Sequence, residues 1–162
     1  MKFDIDKISF KKIIASILIC FLPALIGSVF TYPAIPNWYA SLNKPFFSPP
    51  NWLFGPAWTI LYLLMGISFY IIWKRGIKSK EEKNAVYIFF VQLILNALWS
   101  FLFFGLRSPF LGFVCIIFLW FSIALTIWKF WRLEKISGIL LLPYIGWVSF
   151  ASILNFFVWI LN

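Results

Sequence analysis

The sequence lacks histidine altogether and is poor in charged residues, which make up only 12% of its 162 positions. Without an imidazole, the chain has neither the commonest metal ligand nor the usual general base. An average soluble domain is about 25% charged, and a small one needs far more polar surface than this composition supplies. Because 63% of the residues are hydrophobic, a soluble globular domain and a disordered chain are both excluded.

Cysteines and carboxylates are also scarce. Cys20 and Cys115 lie within apolar runs, without the paired spacing of a zinc or redox site, and therefore indicate small buried side chains. The carboxylates all lie outside the long apolar segments, at Asp4, Asp6, Glu81, Glu82 and Glu134. A paired-carboxylate active site within a membrane is therefore excluded, and no metal site is predicted.

The chain does contain a series of long apolar segments, each near the roughly 20 residues that a helix needs to cross a bilayer. They do not alternate in polarity as the strands of a membrane barrel would. They predict an all-α membrane protein, a bundle of five transmembrane helices in a single domain over residues 1–162. The predicted helices span about 13–30, 52–73, 85–106, 110–131 and 139–161.

The basic residues between these segments are unevenly divided. If the helices cross in turn, 12 of the 14 basic residues fall on one side, at the N-terminus and in the second and fourth connections. Only Lys44 and Arg107 fall on the other side. The positive-inside rule then predicts a cytoplasmic N-terminus, an external C-terminus and insertion into the cytoplasmic membrane. The net charge of +9 is thus a topology signal, and no nucleic-acid partner is expected.

One connection differs from the others in composition. Six of the nine prolines and a series of aromatic residues fall between Tyr32 and Pro56. Because proline fixes φ and removes a hydrogen-bond donor, this stretch is not predicted to be a continuous helix. Two interpretations remain: an ordered cap folded over the external mouth of the bundle, which we favour, or a stiff extended connector.

Polar and aromatic side chains recur at helical spacing within the apolar segments, where burial without a partner is costly. The sets, each spaced by four residues, are Gln92 with Asn96, Trp58 with Tyr62, and Trp147 with Ala151 and Asn155. The amides are typical either of interhelical hydrogen bonds or of a ligand site. The tryptophans are typical either of an interfacial belt or of a pocket wall. An apolar, aromatic pocket with a few orienting polar groups would suit a flat hydrophobic ligand.

A long block of residues at fixed spacing runs from the proline-rich connection into the second segment. It reads Trp38-Tyr39-x-x-Leu42-x-Lys44-Pro45-x-x-x-Pro49-Pro50-x-Trp52-x-Phe54-Gly55-Pro56-x-Trp58-Thr59-x-Leu61-Tyr62-x-x-Met65-Gly66. Later blocks are Gln92-Leu93-x-Leu95-Asn96, Phe103-Phe104-Gly105-x-Arg107 and Leu142-Pro143-Tyr144-x-x-Trp147-x-x-Phe150-Ala151-x-x-Leu154-Asn155. In these blocks the sequence resembles the TspO/translocator protein (TspO/MBR) family, the peripheral-type benzodiazepine receptors.

The resemblance implies a five-helix bundle, commonly a homodimer in membrane lipid, that binds porphyrins, sterols and benzodiazepine-site ligands in a pocket under the first loop. At matched positions, the implied ligand-binding residues are Tyr39, Pro49, Trp58, Tyr62, Asn96, Trp99, Trp147 and Ala151. Bacterial members are similar to one another in degrading protoporphyrin IX with light and oxygen. The two tryptophans implicated there correspond to Trp58 and Trp147, which are the candidate catalytic residues. No cofactor is required, and protoporphyrin IX would be the ligand or the substrate.

One part of the family pattern is missing. The sterol-associated motif near the C-terminus requires a tyrosine followed by a basic residue, and residues 154–160 contain neither. Leu64, Tyr70 and Lys74 satisfy only a looser cholesterol pattern of low specificity, so cholesterol is not the expected ligand.

We expect a membrane receptor or sensor for tetrapyrroles. The alternatives are a light-dependent porphyrin-degrading enzyme and a porphyrin transporter. Carriers coupled to protons usually place titratable residues within the membrane, and the apolar segments here contain no acidic residue or histidine.

Overall fold

The structure, a computed structural model, describes residues 9–162. Lys2 and Lys7 of the N-terminal basic group lie outside the described residues. Five helical segments are long and apolar enough to cross a membrane, which confirms the predicted all-α bundle. They are α1 (Phe10–Ala34) with a π-helical extension (Ile35–Tyr39), α2 (Asn51–Arg75), α3 (Lys80–Ser100) with a second π-helical extension (Phe101–Gly105), α4 (Pro109–Leu133), and a fifth span composed of α5 (Lys135–Leu140) and α6 (Leu142–Ile160).

Successive spans run in opposite directions because the connections between them are short. One end of the bundle therefore collects the start of α1 and the α2–α3 and α4–α5 connections. We term it the basic end, because it carries ten of the twelve basic residues that the structure describes. The opposite end, termed the loop end, carries residues 42–50 and the α3–α4 connection. Around the bundle, α1 packs against α2 and α3, α4 packs against α3 and α6, and α2 packs against α5.

The connections at the basic end are fixed by specific hydrogen bonds. At the start of α3, the Glu82 main-chain N–H donates to Ser79 Oγ at 3.1 Å, and the Ser79 main-chain N–H donates to Glu82 Oε2 at 2.9 Å. This capping box satisfies two donors that the first turn leaves unpaired, and α3 starts five residues before the predicted position. Arg75 Nε lies 3.7 Å from Glu82 Oε1, and Arg75 Nη1 lies 3.9 Å from Glu134 Oε2. The same Nη1 donates to the carbonyl of Leu133. Arg75 thereby connects the ends of three spans.

The first helix is longer than the predicted 13–30, and the proline-rich stretch is mostly helical. α1 and its π-helical extension continue from Phe10 to Tyr39, past Pro33 and Pro36, and Pro56 already lies inside α2. Proline interrupts the regular α-helical hydrogen bonds, and here the chain continues with a π-helical turn, in which the bonds skip one further residue. The expectation of a helix break holds only for residues 42–50, because packing within the bundle outweighs the local effect of proline elsewhere.

Residues 42–50 are anchored to the end of α6. The main-chain N–H of Asn43 donates to Asn162 Oδ1 at 2.9 Å, and Asn162 Nδ2 donates to the Asn43 carbonyl at 3.0 Å. The ring of Phe47 lies edge-on to those of Phe150 and Phe157, with centroids 6.4 and 5.4 Å away. The loop is therefore ordered by its contacts with the last helix, which argues against a stiff free connector.

The fifth span is not the single helix 139–161 that the sequence predicts. It begins at Lys135 and is interrupted at Leu141. Pro143 follows at once and cannot donate a hydrogen bond to the carbonyl four residues earlier, which lies in α5. Ser68 and Ser137 fix α5 to α2, because each hydroxyl donates to the other residue's carbonyl, at 2.9 and 2.8 Å.

The two halves of the bundle differ in packing. Near the basic end, Phe89 stacks between Phe69 and Phe130, with centroids 4.9 and 5.4 Å away. There α1 and α2 are in close contact, since a Cβ at Gly66 would lie 2.8 Å from the Cα of Ile17. The loop-end half is instead hollow, and its interior is the candidate functional site.

Candidate functional site

A cavity of about 640 Å³ occupies the loop-end half of the bundle. All five spans contribute to its lining, the fifth span through α6 and not through α5. Its volume is within the range of about 300–1,000 Å³ that small-molecule sites occupy. Among the described residues that line it, none carries a charge. Its aromatic lining residues are Phe21, Tyr32, Tyr39, Trp52, Phe54, Trp58, Tyr62, Trp99, Phe103, Phe104 and Trp147. This composition favours a large, apolar ligand with π surfaces.

Seven of the eight residues expected to bind a ligand line this cavity: Tyr39, Trp58, Tyr62, Asn96, Trp99, Trp147 and Ala151. The two candidate catalytic tryptophans therefore face the same space. Pro49 does not line it but borders a separate groove on the bundle surface. Pro49 belongs to the loop that precedes α2 and lines the groove together with positions 53, 57 and 61 of that helix, whereas positions 55, 58 and 62 of α2 line the cavity.

The floor of the cavity is a chain of buried hydrogen bonds between three spans. The Tyr62 hydroxyl donates to Asn96 Oδ1 at 2.7 Å, and Asn96 Nδ2 donates to the Tyr144 hydroxyl at 3.0 Å. Tyr144 in turn donates to Gln92 Oε1 at 3.0 Å. Asn96 therefore has both of the roles considered for the amides, since it connects helices and lines the cavity. Gln92 belongs to the hydrogen-bond network but does not line the cavity.

Aromatic rings form the walls above this floor. Trp58 stacks on Tyr62 with centroids 5.4 Å apart and an interplanar angle of 27°. Trp99 is held by its indole N–H, which donates to Asn155 Oδ1 at 3.0 Å, and Asn155 Nδ2 donates to the Pro109 carbonyl at 2.8 Å. These rings are walls of an internal pocket rather than members of an interfacial belt, and the hydrogen bond to Asn155 limits the rotation of Trp99.

Trp147 differs from Trp99 in having an unpaired donor. Its half-buried ring lies edge-on to that of Phe54, with centroids 5.9 Å apart. Its Nε1 atom is buried and has no hydrogen-bond partner among the described residues. A buried indole N–H usually has a partner, so this group is available to an acceptor atom of a bound molecule.

The two π-helical extensions close the loop end of the cavity. Trp38 packs edge-on against Phe103 at 5.4 Å, and Tyr39 packs against Phe104 at 5.6 Å. The ammonium of Lys44 lies 4.6 Å from the ring centroid of Tyr39, a cation–π contact. The cap is therefore built mainly from helical residues, with the loop covering Tyr39 from outside. Sequence analysis did not include Phe103 and Phe104 among the site residues, although their block with Gly105 was the available signal.

The cavity opens sideways between α1 and α2. Its exposed lining residues are Tyr32, Asn51, Trp52, Gly55 and Thr59, all on these two helices. A Cβ added at Gly55 would meet no atom within 4 Å. The opening therefore lies on the side of the bundle, between the loop-end portions of α1 and α2.

Two features of the described residues bear on a metal site and on the looser sterol pattern. They contain no group of three or more histidine, cysteine, aspartate or glutamate side chains that could hold a metal ion. The looser sterol pattern includes Tyr70, whose side chain is buried in the bundle and is not presented to lipid.

Comparison with known proteins places these features in a family. The family model described as the TspO/MBR family matches residues 16–160. The chain is 51% identical to "Tryptophan-rich protein TspO" of Archaeoglobus fulgidus, over 93% of this chain and 97% of the relative. It is 34% identical to "Tryptophan-rich sensory protein" of Cereibacter sphaeroides, over 85% and 82% of the two chains. It is 33% identical to the human "Translocator protein", again over 85% and 82%. With its five spans, the chain is therefore an integral, multi-pass membrane protein that belongs to the TspO/MBR family.

Proposed function

We propose that this protein is a membrane receptor that binds a flat tetrapyrrole, with protoporphyrin IX as the reference ligand, in the loop-end cavity. The observation that carries the proposal is the cavity itself, about 640 Å³ in volume, lined by aromatic rings and without a charged lining residue among those described. Indole and phenol rings stack on a planar π system, and their N–H and O–H groups orient it. The sensory role named in a relative is consistent with a binding function.

The side opening supports a ligand with a large apolar ring of this kind. A porphyrin partitions into the bilayer, and the gap between α1 and α2 at Gly55 would admit it without passage through water. Once inside, the ring would meet Trp58 on α2 and the free N–H of Trp147 on α6. The polar floor at Asn96 limits how deeply it can enter.

Binding is tested by quenching of tryptophan fluorescence when protoporphyrin IX is added to the purified protein in the dark. We expect Gly55→Leu, which fills the opening, to weaken binding about ten-fold, equivalent to about 1.4 kcal/mol. Trp131→Phe is the matched control, because Trp131 is exposed near the basic end and should leave the affinity unchanged. Equal affinities for the wild type and Gly55→Leu would contradict this site.

A second candidate function is light-dependent oxidation of the porphyrin by dioxygen. Two observations favour it: Trp58 and Trp147 line the same cavity, and the ring of Trp58 stacks on that of Tyr62, with centroids 5.4 Å apart. The protein would act by holding indole rings against the ring that absorbs light, and the porphyrin would supply the photochemistry.

Illumination under oxygen distinguishes the two functions. An enzyme should yield a new absorption spectrum that is lost in Trp58→Phe and Trp147→Phe and kept in Trp131→Phe. Quenching without any light-dependent product would support a receptor alone.

We further propose that the basic end faces the cytoplasm. Ten described basic residues gather there, against Lys44 and Arg107 at the loop end, and cytoplasmic connections are enriched in lysine and arginine. Alkaline phosphatase fused to the C-terminus in a bacterial host should be active, because the enzyme folds only outside the cytoplasm. An inactive fusion, with an active reporter in the α2–α3 connection, would show the opposite orientation.

A further inference from the structure

The outward face of α4 carries an apolar stripe that ends in a cluster of charges. Four large apolar side chains in the second half of this helix lie in one row and are exposed: Phe118, Phe121, Leu125 and Trp128. They are spaced by three or four residues, which places them on one side of the helix. Arg132, which is also exposed, continues the row at the basic end. None of these five residues lines the internal cavity, so the stripe is a separate feature of the bundle.

The charges at the end of the stripe are three basic side chains that lie over two indole rings. The ammonium of Lys129 lies 5.4 Å from the ring centroid of Trp128, and the guanidinium carbon of Arg132 lies 4.7 Å from the same centroid. The ammonium of Lys135 lies 6.0 Å from the ring centroid of Trp131. Cation–π contacts at exposed positions are weak, so they hold the cations near the rings without neutralising them. We term these five residues the indole–basic cluster.

No carboxylate neutralises the cluster within the described part of the chain. Glu134 lies between Arg132 and Lys135 in the sequence, but its Oε2 atom lies 3.9 Å from Arg75 Nη1. Within residues 9–162, the ion pairs involve Arg75 and none of the three cations of the cluster. The indole–basic cluster therefore keeps a positive charge that attracts an anion.

The position and the charge of the cluster together indicate an anionic phospholipid. Exposed tryptophans at the end of a membrane span are typical of the level of the lipid head groups, where basic side chains attract anionic lipids. From Phe118 to Trp128 the stripe rises about 15 Å, which is half of the roughly 30 Å thickness of the hydrocarbon core. A lipid with its head group at the cluster would therefore have an acyl chain along the stripe through the depth of one leaflet.

A second copy of the chain fits this face less well. A symmetric dimer uses the same surface of both copies, and copies in one membrane share an orientation. An interface formed by the α4 stripe would therefore bring two indole–basic clusters together. Each cluster carries three positive charges, and like charges that approach closely repel. An anionic head group has the opposite sign and also reduces the repulsion within the cluster.

We propose that the outward face of α4 is a binding site for an anionic phospholipid of the leaflet at the basic end. The guanidinium of Arg132 supplies two parallel N–H donors to phosphate oxygens, and the ammonium groups of Lys129 and Lys135 add charge. The acyl chain packs on the exposed rings of Phe118 and Phe121. The site requires no ligand in the internal cavity, so it does not depend on tetrapyrrole binding.

The experiment is native mass spectrometry of the full chain in detergent, with equimolar phosphatidylglycerol and phosphatidylcholine that have identical acyl chains. We expect the wild type to retain about ten times as much phosphatidylglycerol as phosphatidylcholine, because basic side chains beside a membrane attract anionic lipids. The cluster variant Lys129→Gln/Arg132→Gln/Lys135→Gln should bind the two lipids almost equally. These side chains are exposed or half-buried, and thermal unfolding should show that the fold is kept.

The matched control is Lys78→Gln/Lys80→Gln/Lys83→Gln. It removes the same charge from exposed positions at the basic end, at and just before the start of α3, and should keep the preference for phosphatidylglycerol. Equal loss of the preference in both triple variants would assign the attraction to the basic end as a whole and overturn the proposal. Absence of any preference in the wild type would overturn it as well.

Two further outcomes concern other occupants. Displacement of the lipid by an equal concentration of inorganic phosphate would show that the anion alone is recognised, which contradicts a lipid site. Loss of a dimer peak in the cluster variant, with lipid binding unchanged, would identify a second copy as the occupant and overturn the proposal.

The position of the acyl chain is tested with phosphatidylglycerol that carries a photoreactive diazirine in that chain. Cross-links should concentrate in the α4 peptide over residues 118–128. Cross-links spread evenly over the exposed faces of all the helices would contradict the site on α4.

Discussion

Replacing Asn96 by leucine tests how the cavity floor stabilises the bundle. The leucine side chain has the same branching at Cγ but makes no hydrogen bond, so the Tyr62 hydroxyl loses the acceptor that it contacts at 2.7 Å. Tyr144 loses the hydrogen bond that it accepts at 3.0 Å. All three residues are buried, and an unpaired polar group is costly in such a position.

The magnitude follows from the two losses. A buried hydroxyl left without an acceptor costs about 1–3 kcal/mol, and a side-chain hydrogen bond between membrane helices contributes about 0.6 kcal/mol. Asn96→Leu should therefore lower the free energy of unfolding by about 2–4 kcal/mol. The double variant Tyr62→Phe/Asn96→Leu removes the hydroxyl together with its acceptor. Because removal of both partners is far less costly than removal of one, it should be more stable than the single variant by about 1 kcal/mol or more.

The assay is unfolding by sodium dodecyl sulfate in mixed micelles, followed by near-ultraviolet circular dichroism. Gln92→Leu serves as the control, because Gln92 Nε2 has no partner among the described residues and its removal offsets part of the cost of losing the Tyr144 contact. We expect it to be milder than Asn96→Leu. A double variant no more stable than Asn96→Leu would refute the view that the unpaired Tyr62 hydroxyl dominates the effect.

Three further predictions concern the backbone and the helix ends. Gly66→Leu should cost about 1–3 kcal/mol by overpacking, since its Cβ would lie 2.8 Å from the Ile17 Cα; a melting temperature equal to that of the wild type would contradict this. Arg107→Gly should stabilise the protein by about 1 kcal/mol, because Arg107 has a φ of 52°, and a lowered midpoint of unfolding would refute it. Ser79→Ala should cost about 1 kcal/mol through loss of the α3 cap, whereas Ser79→Asp should retain most of the stability.

The prediction of the fold succeeded where the signal is local. Each span is a run of apolar side chains long enough to cross a bilayer, and this property needs no knowledge of neighbouring helices. Two helix ends were predicted less well, for different reasons. The π-helical extension to Tyr39 packs against Phe103 and Phe104 of another span. The early start of α3 follows from the local Ser79–Glu82 capping box, which precedes the apolar run that was used to place the helix.

For the candidate site, helical spacing and the family resemblance together indicated most of the cavity residues but not their contacts with one another. Tyr62, Asn96 and Trp147 were expected in one pocket, and they line one cavity. The sequence by itself indicated that aromatic and amide groups lie at membrane depth, because they fall within the long apolar segments. It also indicated that those four residues apart share one helix face. It also determined that charges gather at one end of the bundle.

Only the tertiary structure decided which of these faces meet. Pro49 lies at the surface groove, and Trp147 lines both that groove and the internal cavity. The helices are apart at Gly55 and Gly146, where an added Cβ would meet no atom within 4 Å. The physical reason is that the separation of two helices depends on the side chains of both along their whole length. Ser68 and Ser137 draw α2 to α5 at one end, and the gaps at the other end follow from how the rigid helices continue beyond that contact.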